Sequence, residues 1–439
     1  MMRQIDSLIF LPRWFYLITF CVLVSLLNGC AILQPAWEKP WTVPDRTVKE
    51  IERNKFSVAR GDDVVGRLAV VTLEKDETLP DIARHFGAGV DGVGAANPKV
   101  DMWTPEKGDQ VLLPLSFILP DAARKGIVIN LAAMRLFQYK GDGALQTVMT
   151  YPVGVGAEDR PTPMGATRVV RKAVRPTWHV PASIAERHRK KGDILPAQIP
   201  PGPDNPLGEY ALYLSKAGYL IHGTNKPASV GLQATNGCIR LYPENIKILF
   251  NDTPVETPVT IVNQPYLIGQ RGGVLYMEAH DSKDNSTAGE LRKIHDKLRA
   301  IEKKLARRLD WKKINEVQTE KLGIPIPIFE LKQGSEKNVP KTVRVERPYR
   351  LYGKPEIPEM RMNAWYIQAA SVRNEINARR LAAMINHQGP PIPARVLPKS
   401  SGGYRVVAGP FKDSREANDA AKRLKFDLEI DGVPFNTFK

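Results

Sequence analysis

The residues best suited to chemistry lie close together in the segment 218–246. Cys238 follows Gly237 and precedes Arg240 by two positions, and His222 lies upstream of all three. A thiolate is the reactive form of cysteine, and an imidazole accepts the thiol proton near neutral pH. A glycine permits a tight turn whose amides can face a developing oxyanion, and an arginine can pair with a carboxylate. This arrangement predicts a Cys–His acyl-transfer site, with His222 at the end of an apolar strand.

The first thirty residues predict export. Arg3 and Arg13 give a positive start, and an apolar run over 14–27 follows, which is shorter than the about 20 residues that a membrane-spanning helix needs. We therefore predict a signal peptide over 1–29. The sequence "LNGC", which ends at Cys30, resembles the bacterial lipobox and implies lipidation of Cys30. Cleavage without lipid is the alternative. Ala31 is the residue type that implies an outer-membrane destination, so we expect a periplasmic, lipid-anchored protein.

Cysteine usage favours a reactive role for Cys238. The chain has three cysteines, of which Cys21 lies in the predicted signal peptide and Cys30 at its cleavage point. In an oxidising compartment cysteines tend to pair, so an exported cysteine without a partner indicates a reactive thiol. The alternative is an inert cysteine that is buried like a small apolar side chain.

The elements that must position these residues are β-strands. Short β-branched or apolar runs, separated by glycine and proline, recur over 120–265, as in "GIVINL", "TVMTYPVGVG", "YALYL", "GYLIHGT" and "PVTIVN". This pattern predicts a β-rich sandwich domain. The Pro/Gly-rich insertion over 179–210 is too long for a simple turn and predicts a lid or wall beside the site.

A small module precedes this domain, after a tether over 30–63. Residues 64–116 predict a strand, two helices and a second strand, with Leu79, Ile82 and Phe86 on one helical face. The segment resembles the lysin motif (LysM), through Asp76, Thr78–Leu79, Ile82–Ala83, Asn97–Pro98 and Val111–Pro114. The resemblance implies an α+β module that binds glycans containing N-acetylglucosamine.

The positive charge of the chain is concentrated after the catalytic region. The net charge is +16, and residues 292–313 hold ten Lys or Arg against three Asp or Glu. Apolar residues over 286–321 recur at helical spacing, which predicts a basic amphipathic helix that lies on its own domain, with an anionic membrane surface as the alternative. A Pro-rich linker follows over 322–361. The charge favours anionic partners, and export disfavours nucleic acid among them.

The C-terminal segment 362–439 contains an internal duplication. "AWYIQAASVRNEINARRLAAMI" and "GYRVVAGPFKDSREANDAAKRL" each predict a strand, a turn and a helix. Two such units predict a βαββαβ domain, an antiparallel sheet with two helices on one face. The segment resembles the SPOR domain, which implies binding to glycan strands stripped of peptide and enrichment at the division site. RNA-binding domains share this fold shape, but no aromatic pair stands here in an RNA-reading pattern.

The motifs "HGT", "SVG" and "NGCIRL" resemble the L,D-transpeptidase catalytic domain of bacterial cell-wall enzymes, and "TPMGATRV" and "PPGPDNPLGEYAL" extend the likeness. The resemblance implies that a thioester forms on the cysteine after attack on the diaminopimelate–D-Ala bond of a stem peptide, without a cofactor or metal. It implies Cys238 as nucleophile, His222 as base, the Gly223 carbonyl as the group that orients the imidazole, and the Gly237 and Cys238 amides as oxyanion donors. The resemblance places the following residues at the substrate: Arg240, Thr235, Asn236 and Thr224.

Asn236 departs from the family pattern, in which a histidine precedes the glycine. If that position only shapes the oxyanion site, activity survives, because an asparagine can still donate a hydrogen bond. If a histidine there were the base, its loss would cripple the enzyme, but the spacing of Cys238 from His222 favours the first case. The sequence does not identify the group that accepts the acyl chain from the thioester. A diaminopimelate amine would give 3-3 crosslinks, and a lysine of a wall-anchored lipoprotein would attach that lipoprotein to the wall. Water as the acceptor would make the enzyme an L,D-carboxypeptidase. A non-catalytic wall-binding protein with a decayed site is the alternative of another class.

Overall fold

The computed structural model describes residues 41–42, 47–141, 146–190, 192–281, 287–305, 307–329 and 340–437. The chain divides into two units, Met1–Pro40 and Trp41–Lys439, and all described residues belong to the second. The predicted signal peptide and Cys30 therefore lie outside the described residues. Among the helices that the structure describes, none combines the length and the apolar character needed to cross a membrane.

The predicted tether over 30–63 is corrected for the part that the structure describes. This part carries apolar side chains into two cores: Ile51 is buried in the small module, and Phe56 is buried against the catalytic sheet. Burial of such side chains stabilises the fold by about 1.5–3 kcal/mol each, which explains why this segment is not a free tether. The first elements are β1 (Thr47–Val48), β2 (Lys55–Ser57), β3 (Val64–Gly66) and β4 (Leu68–Thr72).

The small module has the predicted order of strand, two helices and strand. Helix α1 (Leu79–Phe86) begins with a capping box between Thr78 and Asp81 and ends at Gly87, whose φ of 67° is the left-handed conformation that glycine adopts readily. The remaining elements are α2 (Val90–Ala96), β5 (Gln110–Leu113) and β6 (Ser116–Ile118). The assignment of this module to the lysin-motif family stays a prediction.

The catalytic region is rich in strands, as predicted. Its first elements are β7 (Gly126–Asn130), β8 (Arg135–Lys140), β9 (Thr147–Pro152), β10 (Val155–Gly156), β11 (Gly165–Val174), β12 (Trp178–His179) and α3 (Ala182–Lys190). They are followed by β13 (Gln198–Ile199), β14 (Tyr210–Leu214), β15 (Leu220–His222), β16 (Gln233–Thr235), β17 (Ile239–Arg240), α4 (Pro243–Asp252) and β18 (Pro258–Val262). Helix α3 lies in the insertion that the sequence predicts as a lid or wall.

One long strand connects the two halves of the catalytic sheet, whose strand order is β17-β15-β14-β11-β18-β7-β8-β9-β2. The first residues of β11 pair with β18 and its last residues pair with β14. Side chains from both halves, such as Ile129 and Ile221, share one buried core. This shared core is what the predicted sandwich requires, although the strands form a continuous hydrogen-bonded order.

The predicted single helix over 286–321 is corrected to two helices. A hairpin of β19 (Tyr266–Arg271) and β20 (Val274–Ala279) precedes α5 (Thr287–Leu305) and α6 (Trp311–Glu320). Between the helices Leu309 forms a β-bridge with Phe329, and the Asp310 side chain caps α6 by accepting from the Lys313 amide at 2.9 Å. Leu309 lies in extended structure after the end of α5, and the cap at Asp310 starts a new helix, so the two helices are separate. Helix α5 buries Leu298 of the predicted apolar stripe.

The predicted linker over 322–361 is also corrected, because much of its described part is packed. Strand β21 (Ile326–Pro327) pairs with β20, and β22 (Thr342–Val345) lies between β1 and β4 in the order β1-β22-β4-β5. Val345 and Leu351 are buried in the core of the small module. The apolar residues among the prolines explain this packing, since each leaves water when the segment joins an existing sheet.

The C-terminal segment has the predicted βαββαβ order. Its elements are β23 (Trp365–Val372), α7 (Glu375–Asn386), β24 (Ala394–Pro398), β25 (Tyr404–Phe411), α8 (Ser414–Leu428) and β26 (Val433–Asn436). The sheet is antiparallel in the order β24-β25-β23-β26, and both helices contribute to one core on it. Arg380 of α7 pairs with Asp101 of the small module at 2.6 Å, and Asp427 of α8 pairs with Lys226 of the catalytic region at 2.7 Å. The C-terminal segment is therefore docked on both.

Candidate active site

His222 is buried at the end of β15, where strand pairing fixes its neighbours. Strand β15 runs parallel to β17, with His222 in register with Arg240. The side chain is 4% exposed, and its Nδ1 lies 2.6 Å from the Gly223 carbonyl oxygen. A carbonyl only accepts, so Nδ1 carries the proton and Nε2 keeps the lone pair that a general base needs.

The environment keeps the His222 imidazole neutral. Burial lowers the pKa of His222 to about 3, and the charge of Arg240 acts in the same direction. Hydrogen bonds with the backbone of Gly223 and Leu207 oppose these effects without cancelling them. The imidazole is therefore unprotonated throughout the physiological pH range, and the same shift makes it a weaker base than a solvated histidine.

Cys238 lies one residue before β17 and is partly buried. Neighbouring strands are about 4.8 Å apart, so the pairing of β15 with β17 brings Cys238 beside the strand that carries His222. Its Sγ lies 3.7 Å from the Gly218 carbonyl oxygen. Burial raises the pKa of the Cys238 thiol, against smaller effects of the Leu220 amide and the Arg240 charge. The resting pair is therefore a thiol and a neutral imidazole.

Hydrogen bonds hold the turn that carries the nucleophile. The Thr235 hydroxyl donates to the Cys238 carbonyl at 2.7 Å and accepts from the Gly237 amide at 3.2 Å. The Thr162 hydroxyl donates to the Gly237 carbonyl at 2.9 Å. Gly237 has a φ of +97°, and a Cβ there would lie 2.7 Å from Cε1 of Tyr219. Only glycine fits this position without displacing its neighbour.

The oxyanion role that the resemblance implied for the Gly237 amide stays a prediction. In this structure that amide donates to the Thr235 hydroxyl at 3.2 Å, so it would have to leave this hydrogen bond to face a developing oxyanion. The contribution of Gly237 is conformational, through its positive φ and its close approach to Tyr219. The role of the Cys238 amide as an oxyanion donor stays a prediction.

The four residues assigned to the substrate have different surroundings. Arg240 is partly buried, and its Nη1 donates to the Ser229 hydroxyl at 2.8 Å, while its Nε is buried without a partner. Thr224 and Thr235 are buried and stabilise local turns. Asn236 is exposed, and its Oδ1 accepts from two guanidinium groups, those of Arg160 and Arg187.

Several residues of the site were not identified from the sequence. Thr162 supports the turn from within "TPMGATRV", a motif that was noted only for its resemblance. Arg187 belongs to α3 in the insertion that predicts a lid, but nothing in the spacing singles it out. Arg160 is far from Asn236 in the chain, so only the folded structure reveals their contact.

Two other features of the structure bear on the site. A cavity of about 930 Å³ lies where the small module, the catalytic region and the C-terminal segment meet, and Thr224, Tyr242 and His387 line it. Neither Cys238 nor His222 lines this cavity, so it is distinct from the Cys–His pair. Within the described ranges, no group of three or more His, Cys, Asp or Glu side chains is arranged to hold a metal ion.

Comparison with known proteins assigns both regions. A family model for the L,D-transpeptidase catalytic domain matches residues 124–261, and a model for the SPOR domain matches residues 362–434. The Escherichia coli protein described as "Probable L,D-transpeptidase ErfK/SrfK" is 40% identical over 232 residues, which are 52% of this chain and 74% of that protein. Its Salmonella typhimurium counterpart is 34% identical over 61% of this chain and 88% of that protein. The Escherichia coli "Probable L,D-transpeptidase YbiS" is 39% identical over 52% of this chain and 75% of that protein.

The chain belongs to the L,D-transpeptidase family of enzymes, and its C-terminal segment is a SPOR domain. Both assignments confirm what the sequence motifs indicated. Among solved structures, the catalytic domain of the Enterococcus faecium L,D-transpeptidase matches 32% of this chain and 99% of that domain, with 22% identity and a TM-score of 0.25.

Proposed function

We propose that the protein is a peptidoglycan L,D-transpeptidase in which Cys238 is the nucleophile and His222 the base. The observation that carries the proposal is the pairing of β15 with β17, which puts a buried, neutral imidazole on the strand next to the cysteine. The Gly223 carbonyl fixes the tautomer that leaves Nε2 free to take a proton. Membership of the L,D-transpeptidase family supports the same reaction.

In the proposed acylation, Nε2 of His222 takes the thiol proton as Sγ of Cys238 attacks the carbonyl of the diaminopimelate–D-Ala bond. The tetrahedral intermediate collapses when the C–N bond breaks, and His222 returns the proton to the leaving amine of D-alanine. A thioester remains on Cys238. An acceptor amine then attacks the thioester, gives its proton to His222, and releases the thiol, which regains that proton. A neutral resting pair suits this sequence, because each half-reaction begins with an imidazole that can accept.

We further propose that the acceptor is a diaminopimelate amine, which gives 3-3 crosslinks. Attachment of a lipoprotein lysine and hydrolysis are the alternative outcomes, and the same thioester precedes all three. The small module and the SPOR domain would hold the enzyme on glycan strands, since tethering raises the local concentration of stem peptides. Lipidation of Cys30 would anchor the chain to the outer membrane from the periplasmic side.

The proposal is tested by intact-mass measurement of the chain without residues 1–29 and with Cys30→Ser, mixed with tetrapeptide muropeptides. We expect a mass increase equal to the muropeptide minus D-alanine, and a new dimeric product. Cys238→Ala should abolish both, and His222→Gln should slow the thioester by at least about a hundredfold, the usual scale for a general base.

The outcome also separates the two classes of function. A chain that binds muropeptides without any mass increase would be a non-catalytic wall-binding protein, and the Cys–His mechanism would be wrong. A thioester that yields only the hydrolysed tripeptide would identify an L,D-carboxypeptidase and would retain the mechanism up to the acceptor step.

A further inference from the structure

Two arginines from different parts of the chain converge beside the nucleophile turn. Nη2 of Arg187 donates to Oδ1 of Asn236 at 2.5 Å, and Nη1 of Arg160 donates to the same oxygen. Arg187 is on α3, whereas Arg160 lies in the loop between β10 and β11. Asn236 is two residues before Cys238. The acceptor that the two cations share is thus a neutral amide oxygen on the turn that leads into the nucleophile.

The loop that carries Arg160 is joined firmly to the nucleophile turn. The Ala157 amide donates to the Thr235 carbonyl at 2.9 Å, and the Thr162 hydroxyl donates to the Gly237 carbonyl at 2.9 Å. On the other side, α3 is held by its buried Ile184. The two guanidinium groups are therefore presented from opposite supports rather than from one mobile loop.

The charge at this point is not balanced. Nε of Arg160 makes a bifurcated contact with Asp159, at 3.0 Å from both carboxylate oxygens, whereas Arg187 donates to the neutral Asn236. These two cations and one anion leave a net positive charge beside the turn. Burial first, and the charge of Arg160 second, lower the pKa of Arg187, and the charge of Asp159 opposes them without cancelling them.

Asparagine suits this position better than the histidine of the family pattern. An amide oxygen has two lone pairs and accepts from two donors, whereas a neutral imidazole offers one acceptor nitrogen. The amide oxygen is also a weaker acceptor for guanidinium groups than a carboxylate, which bonds them with charge assistance. A carboxylate that entered the site would displace the Asn236 oxygen.

We propose that Arg160 and Arg187 form a carboxylate-binding site, in which a carboxylate of the donor stem peptide replaces the Asn236 oxygen as their shared acceptor. The proposal rests on the proposed function, which supplies an anionic peptide as substrate.

The test measures peptide binding by calorimetry to the full mature chain with Cys30→Ser and Cys238→Ala, which cannot turn over. The probes are the stem tetrapeptide and forms of it in which one carboxylate at a time is an amide. Arg187→Gln and Arg160→Gln should each weaken binding of the acid peptide about tenfold, the scale of one charge-assisted hydrogen bond. For one of the amidated peptides this loss should vanish, which identifies the carboxylate that is bound. Asn236→Asp should also weaken binding, because its carboxylate competes for the arginines.

Arg189→Gln is the matched control, because Arg189 lies on the same helix but pairs with Glu186 and is largely exposed. It should bind like the parent. The proposal is overturned if the parent shows no binding of the acid peptide, if neither arginine variant loses affinity, or if the loss is equal for every amidated form. None of these results touches the proposed function, which depends on thioester formation by the chain with Cys238 intact.

Discussion

Lowering the pH from 7 to 5 should leave acylation almost unaffected by the protonation of His222. The direction of the pKa shift follows from the structure. Burial first, and the Arg240 charge second, lower the pKa of this imidazole to about 3. A group whose folded pKa is depressed stays deprotonated until the pH approaches that value. The base of the proposed mechanism is therefore competent well below the pH at which a solvated histidine becomes protonated.

The size of the effect can be worked out from the two pKa values. An imidazole with the ordinary pKa of about 6.5 is about 3% neutral at pH 5. With a pKa of about 3, His222 is about 99% neutral at the same pH. The neutral fraction at pH 5 thus differs about thirtyfold between the two cases, and this fraction sets how the rate of each changes with pH. The rate constant should thus change less than about twofold between pH 7 and pH 5 on account of His222.

The assay is single-turnover formation of the acyl-enzyme at low substrate concentration, followed by intact mass between pH 4.5 and 7.5. These conditions report the pKa values of the free enzyme. Arg240→Gln provides the comparison. It removes the second cause of the shift, so its acid limb should move to higher pH while remaining below 6.5, because burial is the larger cause. An acid limb with its midpoint near 6.5 in the unmodified chain would refute the reasoning, since it would mean a solvated imidazole.

Three further predictions concern stability and packing. His222→Gln should make the fold less sensitive to acid. Between pH 6.5 and 3 this histidine binds a proton in the unfolded chain but not in the folded chain, which favours unfolding. In urea unfolding, the free energy of unfolding should therefore fall by about 2 kcal/mol more for the parent than for the variant between pH 7.5 and 5. Gly237→Ala should cost about 1–3 kcal/mol in the same assay and slow acylation, whereas Gly108→Ala, at a φ of +95° but in open space, should leave acylation unchanged. A double-mutant cycle between Lys226 and Asp427 should give a coupling energy of up to about 1 kcal/mol, because this pair is partly exposed.

Each of these has a clear contradicting result. Equal losses of stability for the parent and the histidine variant would show that the imidazole is not buried in the way the structure has it. Equal rates for the two glycine variants would remove the conformational role of Gly237. A coupling energy of zero would mean that the ion pair does not contribute to docking of the SPOR domain.

Local patterns predicted the elements whose partners are close in sequence. The duplication in the SPOR domain was visible because each strand, turn and helix follows its own periodicity. His222 could be placed at a strand end because an apolar run stops there before Gly223. The prediction that Cys238 acts with that histidine rests on a similarly short stretch of chain.

Pairings between distant segments could not be predicted in the same way. Strand β22 lies between β1 and β4, although about 300 residues separate Thr47 from its partner Arg344. Strand β1 has only two residues, which is too short for a periodic pattern that would specify its partner. The prolines around β22 favoured the interpretation of that segment as a linker. The contact of Asn236 with Arg160 and Arg187 was equally hidden, since the sequence shows only one polar residue beside a glycine.

The described segments after the catalytic region are attached by two kinds of interaction, which respond differently to salt. Strand β22 is hydrogen-bonded within a sheet, and Val345 is buried in the same core as the small module. The SPOR domain meets the small module and the catalytic region through exposed ion pairs such as Arg380–Asp101, and also through the buried contact of His387 with Asp81 and the stacked rings of His188 and Phe426. Exposed ion pairs contribute about 0–1 kcal/mol and are screened by salt, whereas buried contacts are screened much less. High ionic strength should therefore weaken the exposed pairs of the SPOR domain while its buried contacts, and β22 in its sheet, are retained.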